Sequence, residues 1–258
     1  MIGDLVGFAA ATYMRGLRLV HVPTTLMAQV DSAIGGKTGV NHALGKNLIG
    51  AFHAPRLVLA DPDVLATLPR REFRAGLYEV IKYGIIASPS LFERIRTSLP
   101  SLFAREPAAL SAIVSESCRI KAEVVSADER ESGLRRILNF GHTVGHALET
   151  VTRYRRFRHG EAVAYGMLAA VNLGSVRGVT TADVCARVTR LITQLGPLPS
   201  VADLSIREIV GAIAHDKKIV EGTLHFIAAT DLGSTTTLSD VTEKDLKSAL
   251  RAIGIKKA

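Results

Sequence analysis

The stretch NFGHTVGHALE, residues 139–149, combines a helical repeat with side chains that can bind a metal ion. His142, His146 and Glu149 are spaced i, i+4 and i+7, which places them on one face of a helix. Two histidines one turn apart can hold a metal, or one can hold it while the other transfers protons. Thr143 follows the first histidine, so the HExxH pattern of zinc proteases is absent. Taken alone, the pair could also be two hydrogen-bonded interior histidines.

Two neighbouring segments favour the metal. His159 opens the next predicted helix, across a loop from the first. Glu79 and Lys82 are spaced i, i+3 in the otherwise apolar segment LYEVIKYGII (77–86), and polar residues in so apolar a helix are expected to face a site. Glu79, His142 and His159 would form a three-ligand zinc site with one position open for substrate.

The pattern around these segments predicts two domains. From residue 69 to 258 helical periodicity dominates, at 71–87, 89–98, 107–127, 135–151, 160–177, 181–195, 205–215 and 242–253, with a hairpin formed by 223–228 and 235–238. Residues 1–68 instead alternate a helix (4–15), a strand (17–22), a Gly-rich polar loop (31–50) and a short strand (57–59). That alternation is typical of a fragment of an α/β layer, so we predict an α/β domain followed by a mainly helical, metal-binding domain.

Basic residues beside glycines suggest an anion site. Lys37 follows Gly35-Gly36 and Lys46 follows Gly45; small residues let a backbone approach an anion, which a lysine then neutralises. Neither a Walker A loop nor a GxGxxG fingerprint is present. A Gly-rich turn with solvated lysines is the alternative. Further basic candidates, each typical of a surface when taken alone, are Arg15, Lys121, Arg135, Lys217 and Lys218.

Composition excludes several function classes. The 258 residues carry a net charge of +8, yet aromatic residues are only 5% and tryptophan is absent, which disfavours nucleic-acid binding. Two isolated cysteines, Cys118 and Cys185, form neither a disulfide framework nor a CxxC metal motif. The first residues lack a basic signal-peptide region, and the longest apolar stretch is too short to cross a membrane. A cytoplasmic protein without a membrane partner is expected.

Five blocks of the sequence resemble the 3-dehydroquinate synthase family. They are VPTTLMAQVDSAIGGKTGVNHALGKNLIGAFHAP (22–55), LPRREFRAGLYEVIKYGII (68–86), KAEVVSADERESGLRRILNFGHTVGHALE (121–149), HGEAVAYGM (159–167) and DKK (216–218). The resemblance implies a Rossmann-like, NAD-binding first domain and a homodimeric enzyme of the shikimate pathway. It also implies Zn²⁺ or Co²⁺ and conversion of 3-deoxy-D-arabino-heptulosonate 7-phosphate, a sugar-acid phosphate, into 3-dehydroquinate and phosphate.

The resemblance implies a role for individual positions. The metal ligands would be Glu79, His142 and His159, and the proton-transfer residues Glu131 and His146. Substrate would contact Asp31, Lys37, Asn47, Lys82, Lys121, Arg135, Asn139 and one of Lys217 or Lys218, with Arg15 reaching the phosphate from the neighbouring subunit. NAD would contact Asp4, Thr24, Thr25, Lys46 and the segment Val64, Leu65, Ala66 and Thr67.

Two positions depart from the family pattern. Tyr78 stands where the family usually has alanine, and since it lies on another helix face than Glu79 we expect it to serve packing. Met1 stands where the family has a valine that follows a glycine triplet, so we expect Met1 to be an internal valine of a longer reading frame whose nucleotide-binding domain is mostly missing here. Two alternatives stay open: another sugar-phosphate cyclase, and a non-catalytic zinc-binding remnant.

Overall fold

The computed structural model describes residues 2–42, 45–129, 133–215, 219–220 and 223–257, with the backbone alone described at 45–47, 219, 220 and 223. Within these ranges the chain is mainly helical. In chain order its elements are α1 (Ile2–Thr12), β1 (Val20–His21), β2 (Lys37–His42), β3 (Gly45–Phe52), β4 (Leu57–Val58), α2 (Arg70–Ile86), α3 (Pro89–Phe103), α4 (Pro107–Ala127), α5 (His142–Val151), α6 (His159–Val176), α7 (Ala182–Gln194), α8 (Ile206–Ala214), β5 (Ile219–Val220), β6 (Thr223–Leu224), β7 (Phe226–Asp231), β8 (Ser234–Leu238) and α9 (Glu243–Ala252).

The first 68 residues contain the expected alternation with one correction. β1 and β4 pair in parallel, Val20 opposite Leu57, as neighbouring strands of an α/β layer do. The predicted Gly-rich loop was wrong, because β2 and β3 form an antiparallel hairpin across most of it. Gly50 lies opposite Gly39 in that hairpin, and a Cβ at Gly50 would lie 2.3 Å from the carbonyl oxygen of Thr38. Glycine therefore allows the two strands to approach closely here. Because glycine has no side chain, the alternation of apolar and polar residues that identifies a strand is lost.

α2 is the central helix of the remainder. It contacts α3, α4, α6 and α7, and nearly all of its residues from Phe73 to Ile86 are buried. Tyr78 is fully buried in this core, as its predicted packing role requires. The first turn of α6 crosses α2 so closely that a Cβ on Gly160 would lie 1.9 Å from the carbonyl oxygen of Ala75. This crossing fixes where α6 begins relative to the middle of α2.

The predicted helix over 135–151 is interrupted. Residues Leu134–Asn139 form a short 3-10 helix, and α5 begins at His142. Gly141 between them has φ of 77°, in the left-handed region that favours glycine, so one continuous helix was wrong. The break matters because it makes His142 the first residue of α5.

An apolar surface lies on the α1, β1 and β4 side of the chain. Ile2 is 81% exposed, Leu5 55%, Val20 52% and Leu59 52%. Both faces of a parallel sheet are normally covered in folded proteins. Within the described ranges no helix is long and apolar enough to cross a membrane. The proposed boundary between residues 68 and 69 stays a prediction.

Candidate active site

A charged pair from α2 forms the floor of the candidate site. Glu79 is 0% exposed and Lys82 1%, and the Lys82 ammonium forms an ion pair with Glu79 Oε2. Glu79 Oε1 is buried and makes no hydrogen bond to any residue of the described ranges. An unsatisfied carboxylate oxygen in the interior is costly unless another group binds it.

His142 turns its Nε2 atom towards this oxygen. Its Nδ1 lies 3.1 Å from the carbonyl oxygen of Phe140, which can only accept, so Nδ1 carries the proton and donates. The lone pair of the ring is then on Nε2, which lies 3.7 Å from Glu79 Oε1. The bend at Gly141 brings the Phe140 carbonyl back onto the ring, which is why the interrupted helix matters for the site.

His159 approaches the same oxygen from α6. Its Nε2 lies 3.6 Å from Glu79 Oε1, and its Nδ1 lies 3.2 Å from Glu149 Oε1. Burial opposes protonation of His159, but the nearby carboxylates, first Glu149 and then Glu79 and Asp31, raise its pKa above the usual value. The His159 ring is therefore surrounded by negative charge, as the ligand of a cation would be.

The third histidine completes a cluster. One nitrogen from each of His142, His146 and His159 lies within 4.8 Å of the other two. The His142 and His159 ring centroids are 5.3 Å apart, so the residues predicted to share a metal do converge. Two imidazole Nε2 atoms that face a buried, unsatisfied carboxylate oxygen fit a divalent ion with nitrogen and oxygen ligands, and Zn²⁺ accepts this donor set.

Beside the cluster lies an ion pair between a buried lysine and a partly buried aspartate. Lys121 of α4 donates to the carbonyl oxygen of Asp31 at 2.6 Å and to its Oδ1 at 2.5 Å. Tyr83 of α2 hydrogen-bonds Oδ1 at 3.1 Å. Burial by itself would raise the pKa of Asp31, but Lys121 and Lys82 hold it below its usual range. Asp31 is thus ionised and fixed between two cations, next to the histidines.

Arg135 connects the glycine turn to the segment that follows α4. Its guanidinium donates to the carbonyl oxygens of Glu129 at 2.6 Å and Gly35 at 3.0 Å, while its buried Nε has no hydrogen-bond partner in the described ranges. Asn139 ends the 3-10 helix before Gly141. Lys37 begins β2 directly after the glycine turn, with its side chain exposed.

The positions expected to contact NAD lie in the first 68 residues. Asp4 is in the first turn of α1, Thr24 is exposed after β1, and Thr25 accepts a hydrogen bond from the Ala28 amide at 3.2 Å. In the short helix Pro62–Thr67 the side chains of Val64, Ala66 and Thr67 are exposed, whereas Leu65 is buried in the core. Leu65 could meet a cofactor only through its main chain.

Arg15 stands apart from these groups. It is exposed at the end of a turn in which Met14 and Arg15 both have positive φ, 48° and 63°. Glu131, Lys217 and Lys218 lie outside the described residues. Lys46 and Asn47 lie on β3, where the backbone alone is described.

Sequence reasoning missed three partners of the site. Tyr83 was read only as part of an apolar helix, although its hydroxyl holds Asp31. Glu149 was placed on the histidine face without a role, and its i+7 spacing from His142 was the available signal. The Phe140 carbonyl has no side-chain signature at all.

Family models and relatives agree on one family. Residues 1–75 match the model for 3-dehydroquinate synthase N-terminal, and residues 76–219 match the model for 3-dehydroquinate synthase C-terminal. The 3-dehydroquinate synthase of Solibacter usitatus is 50% identical over 252 residues, covering 98% of this chain and 71% of the relative. That of a Synechococcus strain is 52% identical over 260 residues, covering 98% and 70%.

Solved structures extend the likeness to the fold. A 2-epi-5-epi-valiolone synthase from Streptomyces hygroscopicus, with NAD⁺ and Zn²⁺ bound, matches with a TM-score of 0.89 and 32% identity over 97% of this chain and 70% of its own. A 2-deoxy-scyllo-inosose synthase complexed with carbaglucose-6-phosphate, NAD⁺ and Co²⁺ matches with a TM-score of 0.86 and 30% identity, covering 98% and 71%. With two family models spanning most of its length and relatives at half identity, the chain belongs to the 3-dehydroquinate synthase family.

Proposed function

We propose that this chain is a 3-dehydroquinate synthase, which converts 3-deoxy-D-arabino-heptulosonate 7-phosphate into 3-dehydroquinate and phosphate. One observation of the site carries the proposal: the buried, unsatisfied Oε1 of Glu79 lies 3.7 Å from Nε2 of His142 and 3.6 Å from Nε2 of His159. Family membership supports the substrate, because the relatives at half identity are 3-dehydroquinate synthases. The proposed fold is a Rossmann-like remnant (1–68) followed by a mainly helical domain (69–258).

Glu79, His142 and His159 would hold Zn²⁺ or Co²⁺. An ion bound by three protein ligands keeps a coordination position open, where it acts as a Lewis acid on substrate hydroxyl oxygens. Lys82 neutralises the second oxygen of Glu79 and so limits the negative charge beneath the ion. His146, on the same helix face as His142, is proposed to transfer a proton together with Glu131.

The remaining residues would bind an anionic substrate and a dinucleotide. Lys37, Lys82, Lys121, Arg135 and one of Lys217 or Lys218 supply positive charge, and Asn47, Asn139 and Asp31 supply hydrogen bonds. When bound, NAD would supply reversible hydride transfer: oxidation of one substrate alcohol to a ketone would acidify the neighbouring C–H until the hydride is returned. Asp4, Thr24, Thr25, Lys46 and the 64–67 segment are proposed to contact it, and the NAD⁺ in both solved cyclases supports this.

Arg15 gives a reason to propose a homodimer. It lies on a strained, exposed turn, where Tyr13 is 65% and Met14 76% exposed. Strained backbone is often retained for a function. We propose that this turn packs against a second copy and directs Arg15 to the substrate phosphate there. A cytoplasmic location remains our expectation.

The test is phosphate release from 3-deoxy-D-arabino-heptulosonate 7-phosphate by the purified chain, supplied with NAD and Zn²⁺, with the carbocyclic product identified by mass spectrometry. Formation of 3-dehydroquinate, abolished by a chelator and restored by Zn²⁺ or Co²⁺, is expected. Turnover of a different sugar phosphate alone would establish another cyclase. Zinc binding without turnover of any sugar phosphate would establish the non-catalytic alternative.

A further inference from the structure

The ring of His159 needs an external group to hold it. His159 is the first residue of α6 and follows a loop at 152–158. No helical turn precedes it to restrict the rotation of its ring. Both carboxylate oxygens of Glu149 lie close to its Nδ1, at 3.2 and 3.3 Å. A neutral imidazole donates from one nitrogen only, and an ionised carboxylate can only accept. Contact with Glu149 therefore assigns the proton to Nδ1 and leaves the lone pair on Nε2.

Glu149 is itself well fixed. Its side chain is 6% exposed, and it lies on α5, two turns after His142. The helix that supplies one histidine of the cluster thus also orients a second histidine from α6. His142 has a neutral counterpart to this contact, the Phe140 carbonyl at 3.1 Å from Nδ1. The two histidines are held in the same tautomer by acceptors of different charge.

We propose that Glu149 is a positioning residue of the metal centre, which fixes the tautomer and rotation of His159 so that Nε2 faces Glu79 Oε1. Its charge also makes the ring a stronger donor to a cation, since a carboxylate behind a ligating imidazole raises the basicity of that imidazole. The inference rests on the metal site of the proposed function. It assigns Glu149 no contact with substrate.

The first measurement is metal affinity. Competition with a chromophoric chelator would give the Zn²⁺ dissociation constant of the full chain and of Glu149→Ala and Glu149→Gln. We expect Glu149→Ala to weaken Zn²⁺ binding by about 10- to 100-fold, the usual effect of losing such an outer partner. Glu149→Gln keeps an acceptor oxygen but loses the charge, so its affinity should fall between the other two. Glu116→Gln removes a carboxylate that pairs with Arg119 on α4 and is the matched control, with an unchanged constant.

The second measurement needs no metal and no activity. In the metal-free chain with ¹⁵N-labelled histidine, nitrogen shifts report which ring nitrogen carries the proton. In Glu149→Ala we expect His159 to lose its fixed Nδ1–H form while His142, held by Phe140, keeps its own. A general loosening of the fold would instead disturb both rings.

Two results would overturn the inference. One is a Zn²⁺ dissociation constant within twofold of the parent in Glu149→Ala; the other is an unchanged His159 tautomer in that variant. If the parent chain binds no Zn²⁺ at all, the proposed function fails, and the tautomer measurement still decides the role of Glu149.

Discussion

At the scale of single residues, the fully buried carboxylate of Glu79 governs what the site can hold. It is neutralised on one side by Lys82 and left open on the other to two histidines. Removing one histidine leaves too few ligands. We expect the parent chain to contain about one Zn²⁺ and His142→Ala to contain almost none, measured by atomic emission after desalting. His53→Ala, a change in an exposed loop contact, should keep the metal; equal loss in both variants would contradict the assignment.

A second residue-scale prediction compares two cations. Lys37 follows the glycine turn, whereas Arg156 forms an exposed ion pair with Asp203 at 2.7 Å. A charge-assisted hydrogen bond to a phosphate is worth about 1.5–3 kcal/mol, so Lys37→Ala should raise KM by about tenfold or more. An exposed ion pair contributes less than about 1 kcal/mol to stability, so Arg156→Ala should hardly perturb the fold. Because the Arg156 guanidinium pairs with Asp203, its loss should also leave KM unchanged. Steady-state kinetics decide; equal effects would mean that Lys37 belongs to the general surface.

The Asp31–Lys121 pair predicts a pH dependence of stability. Asp31→Asn leaves a buried ammonium without its counter-ion, so the free energy of unfolding at pH 7 should fall by about 3–5 kcal/mol. Because the folded-state pKa of Asp31 is lowered, chiefly by Lys121 against the cost of burial, its stabilisation is complete above about pH 4 and is lost as the pH falls further.

Urea unfolding at several pH values would measure this. The difference between the parent and Asp31→Asn should be constant from pH 5 to 8 and narrow below about pH 4. Tyr83→Phe removes one hydrogen bond to the same carboxylate and is the control, costing about 1 kcal/mol. A difference independent of pH would show that the ionised form of Asp31 is not what stabilises the fold.

Contacts made by distinctive side chains of the site could be predicted from the sequence, whereas contacts made by the main chain or across a loop could not. The sequence singles out Glu79 and His142 because rare polar residues interrupt apolar helices at helical spacing, and His159 because it opens the next helix; their role as metal ligands stays a prediction. The acceptors that orient the two rings could not, since Phe140 contributes a carbonyl and Glu149 acts across a loop. Both depend on a backbone path that residue types do not encode.

At the scale of elements, the crossing of α2 and α6 positions His159. Gly160→Ala would place a methyl group 1.9 Å from the Ala75 carbonyl oxygen, so the two helices must separate. Overpacking of this kind costs about 1–3 kcal/mol, and the shift should also weaken Zn²⁺ binding. Thermal unfolding and metal titration would measure the two effects.

α8 offers the matched control for that change. A Cβ on Gly211, inside α8, would meet nothing within 4 Å, so Gly211→Ala should stabilise the chain by about 0.5–1 kcal/mol. A Gly160→Ala variant that is as stable and binds Zn²⁺ as tightly as the parent would show that α6 can move without consequence.

The helices with a clear apolar periodicity in the sequence were predicted most accurately. α2, α4, α6 and α7 fall within about two residues of the predicted segments, because long amphipathic or apolar repeats identify helices well. The β2–β3 hairpin was missed where glycines replace the apolar residues of a strand, and the start of α5 was missed at the left-handed Gly141. Both errors lie beside the site, where backbone geometry outweighs propensity.

At the scale of the whole molecule, the apolar surface of α1, β1 and β4 predicts the behaviour of the 258-residue chain made alone. Two parallel strands with exposed apolar side chains are a marginal sheet and a poor platform for a dinucleotide. We expect a tendency to aggregate and an NAD dissociation constant above about 1 mM by calorimetry. The helical part should still bind Zn²⁺. Micromolar NAD binding would show that the described contacts suffice.

The three proposed ligands are far apart in the chain: His142 follows Glu79 by 63 positions, and His159 follows His142 by 17. A bound ion would therefore cross-link α2, α5 and α6 reversibly. By mass action, free metal at about 100 times its dissociation constant adds about 2.7 kcal/mol to the folded state. Zinc supply is thus expected to affect the lifetime of this protein in a cell as well as its activity, because the metal-free form unfolds more often and is degraded by proteases faster.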